Sequence, residues 1–193
     1  MIDVKEFLKK YQDSHLGGIY YKDKIATIVR ENIGNKKKAL EVCCGCGIIG
    51  KTLLESSLVE TMIFSDIQDL SKEHEDFIQS DGLDNVSEKY DLVVCSPPWY
   101  NSGEPPSEFL SKQPSILWKD LDWQFHKKFY KKIIDIVAED GSLLVTSCFG
   151  ARQPQEWADM CDLKIKKVFI NESHINEATG NTYPSNYILW WTH

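Results

Sequence analysis

Ser96-Pro97-Pro98-Trp99 puts a hydroxyl, two rigid rings and a large aromatic side chain at the end of the apolar run 92–95. About fifty residues earlier, Glu41 leads into a turn that contains Cys43, Gly45 and Gly47. The first group suits chemistry on a flat nitrogen. In an amide or a base amino group the lone pair is delocalised, and a site helps by accepting hydrogen bonds from the N–H atoms. The nitrogen then turns toward an incoming electrophile. The Ser96 hydroxyl and the Pro97 carbonyl can supply two such acceptors. Proline fixes φ at about −65° and offers no competing donor, and Trp99 can stack on a flat target, worth roughly 1–3 kcal/mol for a base. No strong general base is required, because alignment supplies much of the rate. Read without chemistry, the same segment is a rigid turn with a buried tryptophan.

The glycine turn suits a nucleotide-like ligand. Gly45 and Gly47 let the backbone approach without an intervening side chain. Glu41 can accept hydrogen bonds from an ammonium group. Asp66, 25 residues further on, is placed to accept both hydroxyls of a ribose. A competitor shares these residues: 45–52 (GCGIIGKT) also satisfies the phosphate-loop pattern G-x-x-x-x-G-K-[ST]. Against it, Glu41 would repel a bound polyphosphate. Asp66 ends the strand next in sequence, where a phosphate-loop sheet usually inserts another. Ser96 to Trp99 would have no role.

The elements that must position these groups alternate. Helices are expected over 2–12 and 22–33, separated by a glycine-hinged aromatic segment at 15–21. In the second, Ile25, Ile28, Val29 and Ile33 make one apolar face. Strands are expected over 39–43, 61–65, 76–80, 92–95 and 143–148, with a helix over 48–56 and a strongly striped one over 123–138. A long loop rich in proline, serine and glycine occupies 101–120, as lids and binding surfaces often do. A helix over 153–160 and two strands over 164–170 and 187–191 close the chain. Strand–helix alternation implies a parallel α/β sheet with helices on both faces, and the last pair, joined without a helix, implies an antiparallel final strand. Ligands of such sheets sit beyond the carboxyl ends of the strands, where the order reverses.

The 193 residues suit one domain, with an N-terminal helical segment over 1–34 and an α/β core over 35–193. Twenty-two basic against 29 acidic residues leave a net charge of −7, which is poorly matched to a polyanion and gives no strong nucleic-acid signal. The only basic run, Lys36 to Lys38, reads as the solvated start of a strand. The N-terminus is charged throughout, and no apolar stretch approaches the roughly 20 residues of a membrane span, so a cytoplasmic protein is expected. Three of the six cysteines (43, 44 and 46) crowd one turn without a C-x-x-C pair or a nearby histidine, so small-residue packing is the better account than zinc and no metal is expected.

On these residues the chain resembles the class I S-adenosylmethionine-dependent methyltransferases over roughly 15–193. That resemblance implies a Rossmann-like fold with a seven-stranded, mostly parallel sheet. Glu41, Gly45 and Gly47 fit the family's first motif, with Cys43 in place of its first glycine. Asp66, with Ile67 beside it, falls where the family holds the ribose. Asp81 and Gly82 match the acidic position that borders the adenine. S-adenosyl-L-methionine is the implied cofactor. Ser96 to Trp99 match [DNS]-P-P-[YFW] of the amino-group methyltransferases, and 80–99 is most similar to the release-factor glutamine methyltransferases and their RNA-base relatives. Asparagine usually stands at position 96 there; serine is more typical of cytosine-amino DNA enzymes. The helix that follows the second strand looks nearly deleted.

The implied acceptor is a planar nitrogen on a protein side chain, a nucleobase or a small molecule. Within these 193 residues neither a DNA target-recognition domain nor the helical substrate-binding domain of release-factor enzymes is expected. Recognition is therefore expected from the loops, with Tyr100, Asn101, Glu104, Trp118, His174, Asn176 and Tyr183 as candidates. Tyr20 and Tyr21 are candidates to close over the cofactor. Three rivals stand: a methyltransferase acting on a small molecule with the proline-rich loop as lid, the phosphate-loop triphosphatase, and a catalytically silent cofactor-binding scaffold.

Overall fold

A computed structural model describes residues 16–101, 111, 115, 118–148, 152–171, 174–175, 182–183 and 186–193. The expected helix over 2–12 and most of the loop 101–120 lie outside them. The central strand β1 (Lys36–Val42) opens with lysines and continues as an apolar run, the pattern of a strand covered on both faces. Parallel to it run β2 (Val59–Asp66) on one side and β4 (Tyr90–Cys95) on the other. The short β3 (Phe77–Gln79) pairs with β2, and β5 (Val137–Cys148) pairs with β4. The last strand, β7 (Asn186–Thr192), inserts antiparallel between β5 and β6 (Lys164–Asn171). The sheet order is therefore β3-β2-β1-β4-β5-β7-β6.

Alternate strand residues feed two cores. Ala39, Leu92, Val94, Leu144 and Trp190 face α1 (Leu16–Ile28) and α2 (Ile48–Glu55). Leu40, Val93, Leu143, Val145 and Trp191 face α3 (Gln124–Ile136) and Trp157 of the short α4 (Pro154–Ala158). This period of two places helices on both faces of the sheet.

Three local features differ from the expectation. No hinge interrupts 16–21: α1 runs through Gly17 and Gly18, because Tyr21, Ile25 and Ile28 bury one continuous face. It ends in a π-turn (Val29–Ile33), closed by the Gly34 N–H on the Val29 carbonyl at 2.7 Å. The striped helix stops at Ile136 and not at 138; Val137 already pairs with Tyr90, and the residues before Ser142 bulge out of the ladder. Between β2 and β3 the segment 67–76 holds turns and no helix, in keeping with the near-deletion read from the sequence. No helix among the described residues is long and apolar enough to cross a membrane.

Candidate active site

Strand register gathers the chemistry. Val42 lies level with Ser65 of β2 and Cys95 of β4, and Cys95 with Val145 of β5. The next residues in each chain direction are Cys43, Asp66, Ser96 and Thr146. They form one row at the carboxyl edge of the sheet. β1 and β4 flank the point where strand order reverses, the position at which open α/β sheets bind ligands.

The glycine turn is built by backbone conformations that most residues avoid. Gly45 and Gly47 have φ of +49° and +70°. Cys43, where the resembling family carries glycine, also sits at φ +56°, a left-handed conformation that costs a residue with a Cβ about 1–2 kcal/mol. Its thiol is held protonated by contact with Cys95 and by burial. The Cys44 N–H reaches the Ser65 carbonyl at 3.0 Å, which ties the turn to β2. Asp66 closes the tie: its Oδ2 accepts the Gly45 N–H at 3.0 Å and its Oδ1 the Gln68 N–H at 3.1 Å. Ile67 beside it is partly exposed.

Glu41 points elsewhere than expected. It is buried at 3% exposure, and its Oε2 accepts the Gly50 N–H at 2.8 Å, in the first turn of α2. Burial pushes its carboxyl up to about 8, although the Gly50 amide and Lys51 pull it down. Glu41 therefore anchors the turn to α2 from inside, where an ammonium reaching from the crevice would have to compete with a backbone amide. Gly50 is confined for the same reason: a Cβ there would lie 2.7 Å from Glu41 Oε2 and from Phe64.

Lys51, the lysine of the phosphate-loop pattern, donates to the Cys46 carbonyl at 2.8 Å, within its own loop. The strand ending in Asp66 is the immediate neighbour of β1, with no strand between. Both features disfavour the phosphate-loop reading. The basic run at 36–38 starts β1, at the opposite end of the sheet from the turn, where Lys38 pairs with Glu88.

At the end of β4, Pro97 is buried while Ser96, Pro98 and Trp99 are half-buried. Thr146, fully buried, donates its hydroxyl to Ser96 Oγ at 3.0 Å. Trp99 stands edge-on to Tyr21, with ring centroids 5.6 Å apart and planes at 84°. Tyr21 is itself buried in the first core, so it backs Trp99 and is not a free flap. Tyr20's side chain lies outside the described residues.

Beyond β3, Asp81 is exposed and pairs with Lys128 of α3 at 3.0 Å. Gly82 has φ +60°, and Phe125 covers its open side. Of the loop candidates, Tyr100 meets Trp118 edge-on, and Asn101 Oδ1 accepts the Asp122 N–H at 2.6 Å. Glu104 and Asn176, and the side chains of His174 and Tyr183, lie outside the described residues. Asp120 ties this rim to α3. Its N–H reaches the Tyr100 carbonyl at 2.7 Å, and its carboxylate accepts the N–H groups of Phe125 and His126 and the His126 Nδ1–H at 2.6 Å. Burial keeps His126 neutral in spite of that carboxylate.

Two residues at the site escaped the sequence reading. Thr146 had a signal, a polar pair ending an apolar strand (LLVTSC). His74 had only an indirect one: with the crossover helix missing, something else must cover the turn. His74 is buried at 3% exposure, stacks on Phe64 at 4.3 Å and meets the Gly45 carbonyl through Nε2 at 2.9 Å.

No family model and no curated protein matches this chain in sequence. Its fold is nevertheless that of the class I S-adenosylmethionine-dependent methyltransferases. The N-methyltransferase NodS from Bradyrhizobium japonicum, solved with S-adenosylhomocysteine, aligns at TM-score 0.61 and 11% identity, over 94% of this chain and 89% of that one. A TehB-like methyltransferase from Corynebacterium glutamicum aligns at 0.56 and 13%, over 97% and 96%. A ribosomal protein L11 methylase from Lactobacillus delbrueckii aligns at 0.56 and 13%, over 89% and 79%. These relatives are diverse, and none singles out the release-factor enzymes.

Proposed function

We propose that this protein is an S-adenosylmethionine-dependent N-methyltransferase acting on a planar amide or amino nitrogen. The observation that carries the reading is the single row of Cys43, Asp66, Ser96 and Thr146 at the order reversal, which joins a glycine turn to a Ser-Pro-Pro-Trp strand end. The residues fit the cofactor. Gly45 leaves no side chain over the turn, and each Asp66 oxygen accepts one backbone N–H, which leaves lone pairs for a ribose diol.

Bound S-adenosylmethionine supplies a methyl carbon activated by a sulfonium. The chain's part is to hold the acceptor. Thr146 occupies one lone pair of Ser96 Oγ. The other can accept an N–H of the target, and the Ser96 proton can be donated to an acceptor atom beside that nitrogen. The Pro97 carbonyl can take a second N–H, and Trp99, backed by Tyr21, can wall the planar group. The methylated nitrogen is cationic and sheds its proton to solvent. An acceptor carrying N–H next to a carbonyl or ring nitrogen, as in a glutamine amide or a nucleobase, matches these groups.

Titration calorimetry with S-adenosylhomocysteine, and separately with ATP and magnesium, tests the reading. S-adenosylhomocysteine binding that weakens in Asp66→Ala supports it, and label transfer from methyl-labelled donor to glutamine peptides, RNA or small amines then sorts the acceptor. ATP binding without any response to S-adenosylhomocysteine would overturn it.

A further inference from the structure

His74 lies in the turn-rich segment that stands where a crossover helix is missing, yet it is almost fully buried. Its ring lies parallel to Phe64 of β2, with planes 18° apart, and Phe77 of β3 stacks beyond it. Carbonyls only accept, so the contact to Gly45 requires Nε2 to carry the proton. Nδ1 is then bare, and it has no hydrogen-bond partner among the described residues. Burial also favours this neutral form. The same ring occupies the space that Gly47 leaves: a Cβ on Gly47 would fall 2.5 Å from His74 Cε1.

One side chain thus fixes two points of the turn, the carbonyl of Gly45 by a hydrogen bond and the left-handed Gly47 by contact. We propose that His74 is a positioning residue of the cofactor site, holding the glycine turn in its binding conformation. The proposal rests on the cofactor reading above. Without the Nε2 donor, the Gly45 carbonyl keeps only the weak Cys44 thiol at 3.6 Å and the turn relaxes, so ligand binding must re-order it. Binding then weakens by the worth of about one hydrogen bond, roughly tenfold.

The experiment is calorimetric titration of the full chain with S-adenosylhomocysteine. The variants are His74→Phe and His74→Met, which fill the space without the donor, and His74→Gln, whose amide keeps one. Either space-filling variant that folds carries the test. The control is Ile133→Val, in the core on the other face of the sheet. The expected result is binding about tenfold weaker in the Phe and Met variants, restored to within about threefold in Gln, and unchanged in the control. Binding in Phe or Met within about twofold of wild type overturns the proposal, as does a Gln variant as weak as Phe. No binding by wild type overturns the cofactor reading itself, and this proposal with it.

Discussion

Gly47→Ala is the sharpest test of how the turn is built. Two costs add at that position. Its φ of +70° is left-handed, which costs alanine about 1–2 kcal/mol. The new Cβ would also lie 2.5 Å from His74 Cε1 and 2.7 Å from Phe64 Cε1, where carbon atoms rest at about 3.5–4.0 Å. Both rings must retreat by about 1 Å, and overpacking on that scale costs roughly 1–3 kcal/mol. The sum is about 2–5 kcal/mol, a large part of the 5–15 kcal/mol that typical domains possess. Urea denaturation at pH 7.5 measures it from the midpoint, given an unchanged slope. A second arm places Gly47→Ala in a His74→Ala background, where one obstruction is gone. The substitution should then cost about 1–2 kcal/mol less, a coupling of the size expected for residues in contact. A single-variant cost below about 1 kcal/mol would refute the left-handed, walled turn, and strict additivity would refute the contact with His74.

Glu41→Gln should reveal the buried carboxyl through pH. Its folded value of about 8 lies above the ordinary 4.5, so its stabilising share is complete below pH 4.5 and is lost as pH rises toward 8. The glutamine variant should accordingly gain on wild type between pH 5 and 8.5, by on the order of 4 kcal/mol; parallel urea midpoints across that range would contradict the burial argument. Thr146→Val keeps the shape and deletes the donor to Ser96. Once an acceptor is identified, turnover should fall about tenfold, while S-adenosylhomocysteine affinity holds and Thr146→Ser retains most of the rate. An equal loss of cofactor affinity would tell against the assignment. Asp120→Asn removes a carboxylate that serves three N–H donors, and should cost about 1–3 kcal/mol in urea melts; a cost near zero would mean that the rim is held some other way.

Most of the sheet was legible because its signals are local. Short apolar runs ending in Asp66 or Ser96, and glycines after Val42, depend only on neighbouring residues and on the period of two. The boundaries that drifted did so where tertiary contacts outweigh local preference. Gly17 and Gly18 read as a hinge, but the helix runs through them and on into the buried Tyr21, Ile25 and Ile28. Residues 137–138 read as the tail of a helix, but pairing with β4 drew Val137 into the sheet.

The sequence by itself determined the fold class and three of the four groups in the carboxyl-edge row, Cys43, Asp66 and Ser96, since these follow from motif spacing and strand–helix alternation. Only the tertiary structure decided what those groups do. Glu41 looked free to meet a ligand until the packing turned it onto the Gly50 amide. Trp99 acquired a backing from Tyr21, 78 residues earlier, and Ser96 a donor from Thr146, 50 residues later. His74 gained a role only because the chain folds a helix-free link under the turn. Hydrogen bonds and ring contacts are set by distances across the sheet, and no local pattern encodes those distances.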